Sequence, residues 1–351
     1  RLFKTSIKID LLSGKSEYKD RKRILANLSN QEIDIIFGTH SIFQKKVEFK
    51  KLGLIIIDEQ HKFGVNQRKK LSDKGGPNCD VLLMSATPIP RTLTMTIYGD
   101  MDLSIIKEKP KFRKEVKTYT KLESKIDEII KFVKKEIKNG NQVFWVCPLI
   151  DESKKIDHSS AIIKFKFLEK IFPKKVALLH GKTDPIEKDL ILNNFLNKKF
   201  DILVSTTIIE VGIDFPNANV IIIENANKFG LSQLHQLRGR VGRGNKESSC
   251  ILMFKSSLTE NAKKRLSILK KSNDGFEISE EDMKLRGYGD ILGFKQSGLK
   301  IFKLADPVLN ENLFRLAENE IKRIEKNNED IGKFKTLMKL YDQADIINDI
   351  V

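Results

Sequence analysis

The chain has 351 residues, of which 40% are hydrophobic and 32% are charged, and its 64 Lys and Arg against 47 Asp and Glu give a formal net charge of +17. This composition excludes a disordered or fibrous chain, and no apolar run reaches the roughly 18 residues of a membrane span, which excludes a membrane-spanning helix. The positive charge favours a polyanionic partner such as nucleic acid, although a chain rich in Lys throughout has the same excess on a solvated surface.

In the first third of the chain, short apolar runs alternate with charged stretches of helical periodicity. That alternation is typical of a parallel sheet covered by helices on both faces. It predicts strands at Ile7–Leu12, Asp34–Phe37, Leu54–Ile57 and Val81–Met84.

After a charged stretch around Pro110, a residue that breaks helices, the same alternation restarts. It predicts a second α/β domain whose boundary with the first lies near residue 112. The strands of this domain are predicted at Val116–Tyr119, Val143–Cys147, Val176–Leu179, Ile202–Val204, Val220–Ile223 and Cys250–Phe254. From about residue 259 onward the pattern is helical and charged, interrupted by a Gly-rich stretch, so we expect helices there.

Two carboxylates, Asp58 and Glu59, come directly after the buried strand that is predicted to end at Ile57. In open parallel sheets, ligands lie beyond the carboxyl ends of the strands. One carboxylate at this place can hold Mg²⁺, and the other can orient and activate a water for attack on a phosphate. The alternative is an ordinary acidic helix N-terminus after a strand.

Small hydroxyl residues follow two other predicted strands. Ser85-Ala86-Thr87 comes after the fourth strand, at the edge of the sheet where Asp58 is expected, and is a candidate for sensing the state of a bound nucleotide. Thr206 and Thr207 follow the strand that begins at Ile202. Their hydroxyls and the neighbouring backbone amides suit contacts with phosphodiesters.

The segment from Gln233 to Gly244 begins as a helix and runs into glycines. Arg240 and Arg243 are three positions apart, which predicts that they lie on one helical face and point together at a developing phosphate charge. Donors of this kind act as arginine fingers, which neutralise the transition state of phosphoryl transfer. The alternative is a flexible arginine-glycine loop that binds nucleic acid.

Taken together, these segments resemble a known family. D-E-Q-H at 58–61, S-A-T-P-I-P-R-T-L at 85–93 and Q-L-R-G-R-V-G-R at 236–243 resemble, in order and separation, the motifs of the superfamily-two helicases. Within them, G-T-H-S-I-F-Q at 38–44 and E-V-G-I-D-F-P-N-A at 210–218 are similar to segments of the RecG family. The stretch from Asp274 to Gly298 resembles the helical hairpin and loop that couple ATP turnover to translocation on duplex DNA in that family and in the transcription-repair coupling factor.

The resemblance implies an α/β fold of two RecA-like parallel-sheet domains, at 1–112 and 113–258, followed by a helical translocation hairpin at 259–306 and a helical tail at 307–351. It implies ATP and Mg²⁺ as cofactors, with the metal on Asp58. The catalytic residues implied are Asp58, Glu59, Gln60, His61, Gln236, Arg240 and Arg243. ATP binding and coupling are implied for Ser85, Ala86, Thr87, Gly212 and Asp214. DNA contacts are implied for Ser13, Gly14, Thr39, His40, Phe43, Thr206 and Thr207, and translocation for Arg286, Gly287 and Gln296.

The implied activity is that of an ATP-dependent DNA helicase that remodels branched duplex DNA, by fork regression and Holliday-junction branch migration, in recombination and repair. We expect it to act as a monomer in the bacterial cytoplasm, associated with the nucleoid and not with a membrane. Two alternatives stay open. One is the motor region of a transcription-repair coupling factor, which usually carries D-E-E-H, and the other is a nucleic-acid-binding module without catalysis.

The sequence has no phosphate-binding loop of the form G-x-x-x-x-G-K-[ST]. Gly14-Lys15-Ser16 and Gly181-Lys182-Thr183 end like such a loop, but Ile9 and Val176 stand where its first Gly belongs. We therefore expect a C-terminal motor fragment whose phosphate loop and DNA-splitting wedge domain lie upstream of Arg1. Such a fragment would hold half of an ATP site and hydrolyse ATP poorly or not at all.

Overall fold

The structure, a computed structural model, describes residues 6–14, 16–59, 74–76, 78–85, 102–106, 108, 110, 113–148, 157–206, 214–286 and 310–336. The chain divides into two compact units, residues 1–86 and 87–351. Parallel strands alternate with helices in the described parts of both units, which confirms the predicted α/β class. Among the described helices, none is long and apolar enough to cross a membrane.

The first unit contains two pairs of parallel strands. Its elements are β1 (Ile9–Leu12), α1 (Tyr18–Ser29), β2 (Ile35–Gly38), a 3₁₀ turn (His40–Phe43), β3 (Leu54–Ile57) and β4 (Asp80–Leu83). β1 pairs with β2, and β3 pairs with β4. Helix α1 buries Ile24 and Leu28, four positions apart on one face, against Leu12 and Val47.

The second unit is built around one sheet of six parallel strands. Its elements up to the last strand are β5 (Val116–Leu122), α2 (Ile126–Lys138), β6 (Gln142–Val146), α3 (Asp157–Ile171), β7 (Val176–Leu179), α4 (Pro185–Leu196), β8 (Ile202–Ser205), β9 (Ala218–Ile223), α5 (Leu231–Arg238) and β10 (Ser248–Phe254). Two 3₁₀ turns, Glu123–Lys125 and Ala226–Lys228, precede α2 and α5. The strand order in the sheet is β5-β10-β9-β6-β8-β7.

Helices follow the last strand, as the sequence pattern predicts. They are α6 (Glu260–Lys271), α7 (Gly275–Arg286) and α8 (Glu311–Lys326), with a 3₁₀ turn at Ile331–Phe334. The boundary predicted near residue 112 precedes the first strand of the second sheet, which begins at Val116, and the four domain ranges stay predictions.

The central strands of the second sheet are mostly apolar because both of their faces are covered. Every residue of β6, β8 and β9 is buried, and a separate apolar cluster packs on each face of the sheet. β6 and β9 are neighbours in the sheet, but the chain continues from them toward opposite edges, from β6 to β7 and from β9 to β10. In open α/β sheets the crevice at such a point is the usual ligand site.

Candidate functional site

The carboxyl edge of the β3–β4 pair brings two of the predicted segments together. Ile57 is in register with Leu83, and the amide of Met84 donates to the Ile57 carbonyl at 2.8 Å. Asp58 and Ser85 therefore follow strand ends that lie side by side. The roles assigned to these residues remain predictions.

The backbone turns sharply at the two carboxylates. Glu59 has φ of 49°, in the left-handed region that non-glycine residues seldom adopt, and its amide donates to Asp58 Oδ1 at 2.8 Å. Strained residues of this kind cluster at active sites, where the surrounding structure maintains them. The Asp58 side chain is exposed, whereas Glu59 is half-buried and its Oε2 atom is buried. The turn thus separates an exposed carboxylate from a more enclosed one.

The two carboxylates are compatible with a magnesium site that a nucleotide completes. Within the described ranges, no group of three or more His, Cys, Asp or Glu residues is placed to hold a metal by itself. Mg²⁺ on a nucleotide usually takes only one or two carboxylates from the protein and fills its other positions with phosphate oxygens and water. Asp58, which is exposed beside Glu59, can supply such a carboxylate ligand.

The carboxyl edge of the β1–β2 pair brings together the residues of the first unit for which DNA contacts are predicted. Leu12 is in register with Gly38, so Ser13 and Thr39 follow adjacent strand ends. The buried Ser41 hydroxyl donates to the Leu12 carbonyl at 2.8 Å and ties the turn to β1. A Cβ on Gly38 would lie 2.5 Å from that same carbonyl, so only glycine fits this close approach.

The same turn joins the cores of the two strand pairs. Ile42 packs both with the cluster around Leu12 and with the cluster around Ile55 and Ile57. The His40 and Phe43 rings lie 6.0 Å apart, centroid to centroid, in the turn. The candidate DNA-binding edge and the strand that precedes Asp58 therefore share connected packing.

In the second unit the predicted placement of two arginines is wrong. Helix α5 ends at Arg238, so Arg240 and Arg243 do not lie on one helical face. Gly239 closes the helix, and Gly242 takes φ of 74°, which continuation of an α-helix does not allow. The chain therefore leaves α5 in a turn, which we call the arginine turn (239–244).

The arginine turn contacts another of the predicted residues. Arg243 Nη1 lies 3.9 Å from Asp214 Oδ1, and Arg243 Nε donates to the Gly239 carbonyl at 3.5 Å. An exposed pair at this distance adds little stability. Its importance is geometric, because it joins two segments for which separate motifs predict nucleotide contacts. Gln236, on the last turn of α5, is half-buried.

Two hydroxyls at the end of β8 lack partners among the described residues. The Ser205 and Thr206 side-chain oxygens are buried and have no hydrogen bond there. Leaving such a group unsatisfied costs about 1–3 kcal/mol, so an orphan hydroxyl calls for an explanation. A phosphodiester contact at Thr206 is one such explanation.

Side chains of the protein contact one another at the carboxyl ends of β6 and β9. Glu224 accepts from Trp145 Nε1 at 2.9 Å and pairs with Lys164 Nζ at 2.7 Å. Burial, and then the nearby Glu224 carboxylate, raise the pKa of the Cys147 thiol in the same cluster. Sequence reasoning did not identify this cluster, because its members are far apart in the chain and belong to no single motif.

Several predicted residues lie outside the described part of the chain. They are Gln60, His61, Ala86, Thr87, Thr207, Gly212, Gly287 and Gln296. Arg286 is the last residue of α7, and only its backbone is described. Of the two sequences that end like a phosphate loop, Gly14 lies in a turn after β1, and Gly181 and Lys182 lie in a turn after β7.

Gly242→Ala should lower the free energy of unfolding of the chain by about 2 kcal/mol or more, because it combines two penalties. The left-handed φ costs a side chain about 1–2 kcal/mol, and the new Cβ would lie 2.9 Å from Val116 Cγ2, where overpacking costs about 1–3 kcal/mol. Gly140→Ala is the matched control, since its φ is 77° but nothing lies within 4 Å of its Cβ position. Denaturant unfolding of both variants measures the difference, and equal losses would contradict the predicted steric contribution.

Three family profiles match the chain. The DEAD/DEAH box helicase profile matches residues 1–96, and the helicase conserved C-terminal domain matches residues 124–245. The profile of ATP-dependent DNA helicase RecG, domain 3, C-terminal, matches residues 272–343. Together they match parts of both units and helices α7 and α8 after the second sheet.

Among curated proteins, the chain is similar to the ATP-dependent DNA helicase RecG of Bacillus subtilis (strain 168), with 50% identity over 87% of this chain and 45% of that protein. It is also similar to the ATP-dependent DNA helicase RecG of Thermotoga maritima, with 46% identity over 92% of this chain and 41% of that protein. The chain therefore spans less than half the length of these relatives.

Among solved structures, the chain is similar to RecG bound to a three-way DNA junction, with 44% identity and a TM-score of 0.65 over 89% of this chain and 40% of that one. It also resembles Dbp5 of S. cerevisiae bound to RNA and ADP BeF3, with 18% identity and a TM-score of 0.54 over 81% of this chain and 75% of that one. At that identity the second likeness concerns the fold alone. Both agree with the RecA-like helicase fold that the motifs predict.

Proposed function

The chain belongs to the RecG family, and we propose that it is the motor region of an ATP-dependent DNA helicase that remodels branched DNA. The observation that carries the proposal is the turn at Asp58 and Glu59, which lies beside Ser85 at the carboxyl edge of adjacent parallel strands. The three matching profiles and the relatives named RecG support the same activity.

Asp58 is proposed to hold Mg²⁺ on a bound ATP, and Glu59 to orient and deprotonate the attacking water. The metal would supply charge neutralisation at the phosphates. The exposed position of Asp58 suits a ligand that arrives with the nucleotide, whereas the half-buried position of Glu59 suits a base shielded from bulk water. Gln60 and His61 are proposed to complete this segment.

Gln236, Arg240 and Arg243 are proposed to stabilise the charge on the transferred phosphoryl group. Guanidinium groups are effectively always charged and present several donors in a fixed plane. The contact between Arg243 and Asp214 supports a link between the arginine turn and the segment that begins at Gly212, for which nucleotide coupling is predicted.

The proposed DNA-binding edge is formed in the first unit by Ser13, Gly14, Thr39, His40 and Phe43. Its hydroxyls and backbone amides suit phosphates, which position a nucleic acid without reading its sequence. Thr206 and Thr207 are proposed to make similar contacts in the second unit. The segment from Arg286 through Gly287 to Gln296 is proposed to follow duplex DNA. A branched substrate is proposed because a relative has been solved on a three-way DNA junction.

The phosphate-binding loop is proposed to come from a part of the protein that this chain does not include. The relatives are more than twice as long as the part that the chain matches. In addition, the first unit exposes apolar side chains on one face of its strands. Ile9 and Leu11 on β1 are 58% and 61% exposed, and their register partners Ile35 and Phe37 are 41% and 59% exposed. Parallel sheets normally bury both faces, so further helices of the same domain would cover this one.

By itself the chain should bind duplex or branched DNA weakly, with an affinity that falls steeply as salt rises and does not respond to ATP. The reason is that lysines and arginines neutralise phosphates and release counterions, while half of the ATP site is missing. The logarithm of the binding constant should fall with the logarithm of salt by about 0.9 for each phosphate neutralised.

Fluorescence titration at several salt concentrations, with and without ATP and Mg²⁺, measures this effect. Heparin is the control polyanion, since it reports charge without duplex structure. Tight Mg²⁺-dependent binding of ATP to this chain alone would show that the proposed half-site is wrong.

A further inference from the structure

Strand β9 carries a buried carboxamide near its beginning, at an irregular point of the second sheet. Gln142 of β6 pairs with Ala218. The next residue of β6, Val143, pairs with Val220, which leaves Asn219 as the extra residue of a β-bulge. Asn219 is fully buried. Burying a polar side chain is costly unless it is hydrogen-bonded, so the partners of Asn219 indicate what it does.

The hydrogen bonds of Asn219 join the beginnings of three neighbouring strands. Its Nδ2 atom donates to Asn141 Oδ1 at 2.9 Å, just before β6, and to the Asn217 carbonyl at 3.3 Å, just before β9. Its Oδ1 atom accepts from the hydroxyl of Ser248, the first residue of β10, at 3.2 Å. The carboxamide thus uses both of its N–H donors and its oxygen. A buried network whose groups all have partners makes the surrounding structure rigid and specific.

Helix α2 fixes the Asn141 end of this network. Asn141 Nδ2 donates to Glu136 Oε2 at 2.7 Å, and the backbone amide of Asn141 donates to the Glu136 carbonyl at 3.0 Å. Both groups of Asn141 that can donate are therefore held by the end of α2. Its Oδ1 atom is left in a fixed place as the acceptor for Asn219.

The Ser248 end of the network lies against the arginine turn. A Cβ atom on Gly242 would lie 3.5 Å from Ser248 Oγ. The same hydroxyl is 3.5 Å from the Lys246 carbonyl oxygen, two residues beyond the turn, but only 3.2 Å from Asn219 Oδ1. The space available to the turn at Gly242 therefore depends on where Ser248 stands, and Asn219 helps to determine that position.

A second segment that Asn219 holds meets the other end of the turn. A Cβ atom on Gly244 would lie 2.9 Å from the Pro216 carbonyl oxygen, so the two backbones are in close contact. The next carbonyl along the chain is the one that Asn219 binds. Two residues before Pro216, Asp214 Oδ1 lies 3.9 Å from Arg243 Nη1. The segment before β9 therefore contacts the turn both at its backbone and at a guanidinium.

We propose, on the basis of the proposed function, that Asn219 is a positioning residue for ATP hydrolysis. It holds both segments against the arginine turn and thereby determines where Arg240 and Arg243 stand. An arginine finger depends on this geometry, because its donors must meet the charge that develops on the transferred phosphoryl group. Asn219 is buried inside the second unit, so it acts through the turn and not on the nucleotide.

The test uses two variants of the full-length protein. Asn219→Ala removes the three contacts of the carboxamide at once, whereas Ser248→Ala removes one hydroxyl and leaves the carboxamide in place. We expect Asn219→Ala to lower kcat for DNA-stimulated ATP hydrolysis by about 10- to 100-fold, since a displacement of about 1 Å can cost about 100-fold. Ser248→Ala should lower kcat to a smaller extent. KM for ATP should change little in either variant, because an arginine finger acts on charge that develops only in the transition state.

Ser249→Ala is the matched control, because Ser249 is the next residue of β10 and its side chain leaves the strand on the opposite face. It should leave both kcat and KM unchanged. Activity is counted per folded molecule, with the folded fraction measured by circular dichroism at the assay temperature. An unchanged kcat in both network variants overturns the proposal. So does a loss of activity that disappears when it is counted per folded molecule, since the network would then serve folding alone.

Amide hydrogen exchange across residues 239–247 gives a readout that does not depend on activity. We expect exchange there to be faster in Asn219→Ala and Ser248→Ala than in Ser249→Ala, while exchange in strands β7 and β8 stays unchanged. If the parent protein showed no DNA-stimulated ATP hydrolysis, the proposed function would fail, but exchange would still decide whether Asn219 holds the arginine turn. Unaltered exchange in both variants overturns the positioning role. If Asn219→Ala does not fold, Ser248→Ala decides both measurements by itself.

Discussion

Replacing Glu59 by Gln in the full-length protein should leave ATP affinity nearly unchanged and lower DNA-stimulated hydrolysis by about 100- to 10,000-fold, the usual contribution of a general base. The amide has the size of the carboxylate and can still accept a hydrogen bond, but it cannot take the proton of the attacking water. The backbone N–H of residue 59, which the substitution leaves in place, donates to Asp58 Oδ1. The left-handed turn should therefore survive the change.

Steady-state hydrolysis together with equilibrium binding of ATP separates the two effects, since a base is needed for turnover and not for binding. Glu32→Gln is the matched control, because Glu32 is an exposed carboxylate of the same unit. Turnover within a few-fold of the parent would remove Glu59 from the catalytic set. A parallel loss of ATP affinity would instead indicate that the carboxylate helps to hold the metal.

Arg243→Ala should abolish both ATP hydrolysis and junction unwinding, with turnover lowered by about a thousandfold or more, as is usual for an arginine that stabilises the phosphoryl-transfer transition state. The variant removes a partly exposed guanidinium whose contacts include Asp214 and the Gly239 carbonyl, so little stability should be lost. The full effect is therefore expected in kcat. Hydrolysis that persists at the parental rate would exclude a role on the phosphates.

Arg286→Ala provides the contrasting variant in the same assays. Arg286 is the last residue of helix α7, which follows the second sheet, and it is far from the arginine turn in the chain. We therefore expect the Arg286 variant to hydrolyse ATP in the presence of DNA but to unwind junctions poorly. Arg323→Ala is the control for removing an arginine, since Arg323 pairs only with Glu320 and Glu329 among the described residues and is exposed. Unwinding by the Arg286 variant in proportion to its hydrolysis would exclude the coupling role.

The strands were the part of the fold that local pattern predicted best. All ten predicted strands are present, with shifts of a few residues at their ends. The reason is that a strand covered on both faces is mostly apolar, as the run Val220–Ile223 in β9 is, and charged helical stretches separate such runs clearly. Strand ends in turn indicated where polar side chains such as Asp58 and Thr206 would lie.

The prediction that two arginines share a helical face was wrong because residue spacing does not show where a helix ends. Arg240 and Arg243 have the right separation for one helical face, but α5 ends before both of them. Tertiary packing shapes the turn that follows: Gly242 has a left-handed backbone at a place where a Cβ would lie 2.9 Å from Val116 Cγ2, and Val241 is fully buried. A glycine in the sequence permits such a turn, and only the packing around it requires one.

Local sequence was enough to predict the fold class, the order of the strands along the chain and the strand ends that Asp58, Glu59, Ser85 and Thr206 follow, because these depend on neighbours only a few residues away. Which distant groups meet could be read only from the folded chain. Arg238 lies more than thirty positions from the Leu269 and Ser272 carbonyls, and Asp282 lies fifty positions from Ser232. No periodicity connects residues so far apart. Their contacts arise because α5, α6 and α7 bury one apolar cluster, and the polar groups enclosed with it must find partners there.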